Sequence, residues 1–422
     1  MRATGFLRER EDKGQRGEGQ MKQKWKSLFA WSTAASLLFL TACGSQQTGG
    51  GSNGGSGGQT KVVSIGWSGP QSGGAALYGK NTLDGLQMAI DDINAAGGIK
   101  VGKDTISLKL AALDDKYLPN ETVTNARRLK TENKATIIFT PHSGGVLALQ
   151  NINVQEKFLI AAYTSEPKVT EAKNPLTVRI PPRYDIYPKP FSEEMIKRFG
   201  KKVALVPGTH QYAKDWTTVF KKTWTELGGE IVAESPVDYN KESDFSAAVS
   251  KALAAKPDVL FVGGASQPTA LVIKAAREQG FKGGFIVMDQ AKVEEIEPIL
   301  KDPKLLEGVI GVQPASLYPT EGTRKFVEKY KLKFGADKIP TSETLYHYMT
   351  MYVLAKAMEL AGTTDDPAAI KAKISDACKQ LTDDKIPLLA KGLADDGALI
   401  TSPTATTMKN GKYIEIPLPA PK

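Results

Sequence analysis

Lys61-Val62-Val63-Ser64-Ile65-Gly66-Trp67-Ser68-Gly69-Pro70, then a run of small residues, then Asn81-Thr82-Leu83-Asp84-Gly85-Leu86-Gln87-Met88-Ala89-Ile90-Asp91-Asp92-Ile93-Asn94-Ala95-Ala96-Gly97-Gly98 is the stretch that decides the fold. Val62 to Trp67 is short, apolar and partly β-branched, which predicts a strand. Leu83, Leu86, Met88, Ile90 and Ile93 recur near helical spacing, which predicts a helix over Asn81 to Ala96 that Gly97-Gly98 ends. Strand, Gly-rich turn and helix in that order are the opening of a parallel α/β unit.

The same alternation continues outward from this stretch. Strands are predicted at Ile106 to Leu113, Thr136 to Phe139 and Phe158 to Ala162, with helices at Glu121 to Glu132 and around Val146 to Lys157. A second series follows: strands at Lys202 to Val206, Glu230 to Glu234, Val259 to Val262 and Phe285 to Met288, with helices at Asp215 to Leu227, Phe245 to Ala255 and Thr269 to Gln279. Short connections between such elements imply right-handed crossovers in a parallel sheet covered on both faces. Between the series, Arg179-Ile180-Pro181-Pro182-Arg183 interrupts both helix and ladder, as expected where a chain crosses between lobes. Long helices at Gly322 to Phe334 and Ser342 to Leu360 come next, and a final strand pair, Thr404 to Met408 and Lys412 to Ile416, turns at Asn410-Gly411. The expected fold is α/β: two doubly wound, Rossmann-like lobes with parallel sheets, joined by a hinge, with a ligand cleft between them. Residues 61–179 plus 314–390 are expected to form lobe 1, and 180–313 plus 391–422 lobe 2.

The 422 residues suffice for such a body, and 41% apolar with 24% charged residues is ordinary for a globular protein. The net charge of +9 arises from 55 Lys+Arg against 46 Asp+Glu, but the residues before Cys43 hold eight of the former and four of the latter. The remaining surplus is small and shows no basic run, so nucleic acid is not expected as a partner.

Residues 21–42 have the layout of a secretory leader: Lys22, Lys24 and Lys26, an apolar stretch from Leu28 to Leu40, then small residues. The apolar stretch is shorter than the roughly 20 residues a bilayer span needs. Leu40-Thr41-Ala42-Cys43 looks like a bacterial lipobox, which makes Cys43 the expected lipid attachment point. Residues 1–20 are read as an over-extension of the start, and 43–60 as the lipidated cysteine with a Gly/Ser tether whose reach is about 20 Å. The expected location is outside the cytoplasm, anchored to a bacterial membrane through the lipid. Cys378 then has no partner within the chain and is expected to be a helix residue.

Motifs for catalysis do not appear: there is no phosphate loop, nucleophile elbow, H-E-x-x-H or paired C-x-x-C. His142, His210 and His347 are too scattered to suggest a metal site, and no metal or cofactor is expected. His142 beside Ser143 leaves an exported hydrolase as a rival, although nucleophile and base are defined by geometry and not by adjacency. Small and hydroxylic residues gather after strands instead. Ser143-Gly144-Gly145 opens a helix after one strand, and Thr164-Ser165 follows another, the places where an open α/β sheet presents hydroxyls and free backbone N–H groups to an anion. Helix capping alone could also account for Ser143 and Thr164.

Taken together, Ile65-Gly66, Ser68-Gly69-Pro70, Tyr78-Gly79, Gly85, Asp91-Asp92-Ile93-Asn94-Ala95-Ala96-Gly97-Gly98-Ile99, Asp114-Asp115, Ala162-Tyr163-Thr164, Gln211-Tyr212, Asp244-Phe245, Pro257-Asp258 and Gly263-Gly264 resemble the type I periplasmic binding proteins. The likeness is to the leucine/isoleucine/valine-binding branch that serves ABC importers, and it covers Val62 to Tyr352. It implies a binding protein and not an enzyme, with a branched-chain or other apolar amino acid as ligand. It also implies importer membrane subunits as partners; a monomer is expected.

By the same resemblance Ser143 and Thr164 bind a ligand carboxylate with help from the Gly144 backbone. The Ala162 carbonyl and Asp289 take the ammonium, and Tyr78 and Tyr212 line the cleft beside Tyr163. Three positions depart from the family pattern. Ala265 stands where an aromatic residue is common, His142 is bulky, and Asp289 replaces a glutamate. A sensing module for a receptor, or a binder of a small amide or aromatic acid, remain alternatives.

Overall fold

A computed structural model of the chain describes residues 58–419. The over-extension, the leader, Cys43 and the tether up to residue 57 lie outside the described residues. The first sheet contains β1 (Thr60–Gly69), β2 (Ile99–Val101), β3 (Asp104–Asp114), β4 (Ile137–Thr140), β5 (Leu159–Ala162) and β6 (Thr177–Arg179), in the order β2-β3-β1-β4-β5-β6. The second contains β7 (Lys202–Val206), β8 (Glu230–Glu234), β9 (Val259–Val262), β10 (Gly284–Val287), β11 (Val309–Val312), β12 (Ala405–Lys409) and β13 (Lys412–Ile416), in the order β13-β12-β11-β10-β9-β7-β8.

Every residue of β4, β5, β9, β10 and β11 is buried, because helices cover both faces of each sheet. The sheets are parallel in their interiors but mixed at their edges. β2 runs antiparallel to β3, and β12 and β13 form an antiparallel hairpin whose turn at Asn410-Gly411 has both residues at positive φ. Only strands reached by a helical crossover need be parallel, and these edge strands are reached by short turns or from the distant helical segment.

Two close approaches explain glycines in the opening helix, Ala76–Ala95. A Cβ on Gly79 would lie 1.6 Å from the Pro70 carbonyl oxygen, and one on Gly85 2.2 Å from that of Thr344. The second contact seats helix Ser342–Ala361 against the first lobe, where Leu345, Met349, Val353 and Met358 share a core with Ile65, Trp67, Leu86 and Phe139. The chain returns past β6, with Arg179 N–H donating to the Gly397 carbonyl (3.2 Å) and Leu399 N–H to that of Arg179 (2.8 Å), before entering β12.

The helix predicted over Val146 to Lys157 is two helices, Ser143–Leu149 and Asn153–Glu156. Asn174 Nδ2 donates to the Gln150 carbonyl at 3.1 Å, and Asn153 Nδ2 donates to the Leu176 carbonyl at 3.0 Å, so long-range partners replace the helical ladder there. Cys378 is buried in helix Ile374–Gln380, and burial pushes its thiol up to about 11. Among the described residues no helix is long and apolar enough to cross a membrane.

Candidate ligand-binding site

The parallel strands of both sheets aim their carboxyl ends at a shared cleft. Loops after β3, β4 and β5 supply one wall, and loops after β7 and β10 supply the other. The organising group on the first wall is Asp115, whose side chain is wholly buried. Its Oδ2 accepts from Ser68 Oγ (3.0 Å), Thr122 Oγ1 (2.9 Å) and His142 Nε2 (2.9 Å), and its Oδ1 accepts from Tyr117 N–H (3.0 Å).

His142 serves as the N-cap of helix Ser143–Leu149. Its Nδ1 accepts from Gly145 N–H at 3.0 Å, which leaves the ring proton on Nε2 for Asp115. Both ring nitrogens are therefore occupied, and neither is placed to take a proton from Ser143. The Ser143 hydroxyl is buried without any protein partner, a state that costs free energy unless something else bonds it. Thr164 Oγ1 accepts from Glu166 N–H at 3.3 Å, which leaves its own proton free to donate.

The opposite wall centres on Asp289. Its carboxylate accepts from Tyr212 OH, from Trp216 Nε1 (3.1 Å) and, across the cleft, from Ser165 Oγ (2.6 Å). Tyr212 OH is also 2.8 Å from Ser165 Oγ. Burial raises the phenols of Tyr78, Tyr163 and Tyr212 well above their usual range, so they line the cleft as neutral donors.

Tyr78, His142, Ser143, Tyr163, Thr164, Tyr212 and Asp289 thus meet around one inner cavity of about 30 Å³. Gly144 lies instead on the wall of an adjoining outer chamber of about 510 Å³. Ala162 closes β5 with its carbonyl already accepting from Ile180 N–H at 2.9 Å. Ala265 is the N-cap of helix Ser266–Glu278; it and Ala162 are absent from the cavity lining.

Sequence reasoning passed over Tyr117, Gln290 and Lys292, all of which line the cavity. Lys292 is only 3% exposed, donates to the Asp289 carbonyl, and lies 3.6 Å from Glu343 Oε2 of the first lobe. A lysine five positions past the buried strand β10 was the available signal. Beside it, Glu295 accepts from Asn81 across the lobe boundary, and burial raises the carboxyls of Glu295 and Glu294 to about 7 and about 8. Among the described residues no group of three or more His, Cys, Asp or Glu could hold a metal ion.

Residues 62–411 match the family model for periplasmic binding proteins. An "Amino acid binding protein" of Pseudomonas aeruginosa is 28% identical over 313 residues, covering 73% of this chain and 81% of the relative. "Leu/Ile/Val-binding protein homolog 1" of Brucella melitensis is 27% identical over 305 residues, covering 72% and 80%. Among solved structures, the branched-chain amino acid transporter substrate binding protein LivJ of Streptococcus pneumoniae, in complex with isoleucine, superposes with a TM-score of 0.71 at 21% identity, covering 85% of this chain and all (100%) of that one. The leucine binding protein LivK of Thermotoga maritima gives 0.69 at 24% identity, covering 85% and 99%. These two likenesses are of fold.

Proposed function

Because the chain belongs to the periplasmic binding protein family, we propose that it is an extracytoplasmic solute-binding protein, tethered through a lipid on Cys43, that captures a small amino acid for an ABC importer by closure of its two lobes. The observation that carries this reading is the buried, unpartnered Ser143 hydroxyl beside Thr164, facing the Asp289 carboxylate across the cleft. Donors on one wall and an acceptor on the other suit a zwitterion, whose burial is tolerable only when its charges are hydrogen-bonded. Division of the groups between lobes couples that satisfaction to closure. Relatives named for amino acids, and for leucine, isoleucine and valine among them, favour an apolar side chain.

The His142 ring, engaged at both nitrogens, weighs against hydrolysis. The test is a thermal-shift screen of the twenty amino acids, with small amides and aromatic acids alongside, on protein stripped of ligand. A ligand at a hundredfold its Kd should stabilise by about 2.7 kcal/mol. It should also be recovered chemically unchanged. Stabilisation by amides or aromatic acids alone would replace the amino-acid reading, and a cleaved product would replace binding with catalysis.

A further inference from the structure

Resting on the reading of the cleft as an amino-acid site, we infer that Tyr117 is the partition that sets the largest ligand the cleft accepts. Tyr117, His142, Ser143 and Tyr212 belong to the walls of both the inner cavity and the outer chamber, so the boundary between the two spaces runs through these side chains. The Tyr117 ring stacks on His142 (centroids 4.6 Å apart, planes at 25°) and meets His210 edge-on at 5.4 Å. Its hydroxyl accepts from Gln290 Nε2 at 2.8 Å. One aromatic side chain therefore reaches from the loop after β3 to two loops of the second lobe.

The backbone is bent to put it there. Lys116 and Tyr117 both sit at positive φ, 54° and 63°, a region that bulky residues avoid. Asp114 Oδ1 takes Lys116 N–H (2.9 Å), Asp115 Oδ1 takes Tyr117 N–H (3.0 Å), and Leu118 N–H closes the turn on the Asp115 carbonyl (2.8 Å). Such over-determined strain in a ligand cleft points to function. Beyond the ring, the wall of the outer chamber includes Lys116, Leu118, Gln211 and Lys241, with space far exceeding that of the inner cavity.

Tyr117→Gly tests this directly, because glycine accepts the positive φ and the variant removes the ring while relieving the backbone. Tyr117→Phe keeps the ring and loses only the hydroxyl. Affinities are measured for a size series from glycine to tryptophan and for the dipeptides leucyl-glycine and glycyl-leucine. Tyr117→Gly should move the size cut-off upward, raising the affinity of at least one excluded member relative to the best wild-type ligand by roughly tenfold or more. Tyr117→Phe should keep the wild-type cut-off.

An unchanged cut-off in Tyr117→Gly, with the wild type binding amino acids, overturns the partition and leaves the binding reading standing. A wild type that binds none of the series overturns the amino-acid reading instead. The partition is then decided by thiol labelling of Ser143→Cys in a Cys43→Ser background, with a small alkylating and a bulky maleimide reagent. Selective exclusion of the bulky reagent that disappears in Tyr117→Gly supports it, and equal size selectivity in both overturns it.

Discussion

Ser165 Oγ lies 2.6 Å from Asp289 Oδ2, although the two residues are 124 positions apart and stand on opposite walls of the cleft. In this arrangement the acceptor proposed for a ligand ammonium is held by the protein's own donors, Ser165, Tyr212 and Trp216. In the proposed capture mechanism a ligand has to replace these bonds. Ser165→Ala is expected to remove about 1.5 to 3 kcal/mol of closure free energy, the range for a hydrogen bond to a charged group. Small-angle scattering of the stripped protein should then show a larger radius of gyration than the wild type. An identical radius would mean that Ser165 and Asp289 do not govern closure.

Ser143→Ala separates stability from binding. The hydroxyl has no protein partner, so the stripped variant should melt at the wild-type temperature or above it. Ligand affinity should fall by about 1.5 to 3 kcal/mol if the hydroxyl bonds a carboxylate. A lower melting temperature together with unchanged affinity would make Ser143 structural.

The alternation of strands and helices was legible because buried parallel strands are continuous apolar runs, as at Val259 to Val262. The short edge strand Ile99–Val101 and the two-part helix after Ser143 were not, since three residues carry no period and the break at Gln150 depends on Asn174, distant in sequence. In the site, Ser143 and Thr164 could be read from their positions after strands, whereas Asp289 came only through the family resemblance. Tyr117 could not, because it reaches the cleft only through two successive left-handed residues. Lys292 was hidden for a different reason: its burial follows from Glu343, which arrives on a helix from the other lobe.

Buried carboxyls set the alkaline side of the stability curve. Burial raises Glu294 to about 8, and raises Glu295 and Glu166 to about 7, with Glu343 adding to the shift at Glu294 and Glu295. Each is raised in the folded state, so its contribution is full below the unfolded value near 4.5 and is lost as pH rises to the folded value. His210 and His347, lowered by burial to about 4 and about 3, work in the opposite sense, but only below about 6.5. Between pH 6.5 and 8 the melting temperature should therefore fall, and Glu294→Gln should flatten the decline. A rising or flat wild-type curve in that window would contradict the assignment.

Cys43→Ser tests the anchor. The thiol is the acylated group in the proposed lipoprotein, so the variant should leave the membrane fraction while the purified body binds ligand as before. Membrane retention of Cys43→Ser, with unmodified Cys43 in the wild type, would exclude lipid anchoring at that residue.

The last expectation concerns Lys292 and Glu343, a cross-lobe pair 3.6 Å apart with side chains 3% and 0% exposed. Removing one member of such a pair strands the other in a low-dielectric interior, at a cost of about 3 to 5 kcal/mol. Replacing both with apolar residues of similar volume avoids that penalty, and the rings of Tyr78 and Tyr163 already provide apolar neighbours in the cleft. Denaturant unfolding of Lys292→Met, Glu343→Leu and the double variant should therefore be strongly non-additive, with the double variant more stable than either single one. Affinity read on the same proteins separates roles: a loss in Lys292→Met that the double variant restores comes through the pairing with Glu343, and a loss that persists in the double variant comes from Lys292 facing the ligand. Additive losses would show that the two side chains are satisfied by other partners, and that closure does not depend on their pairing.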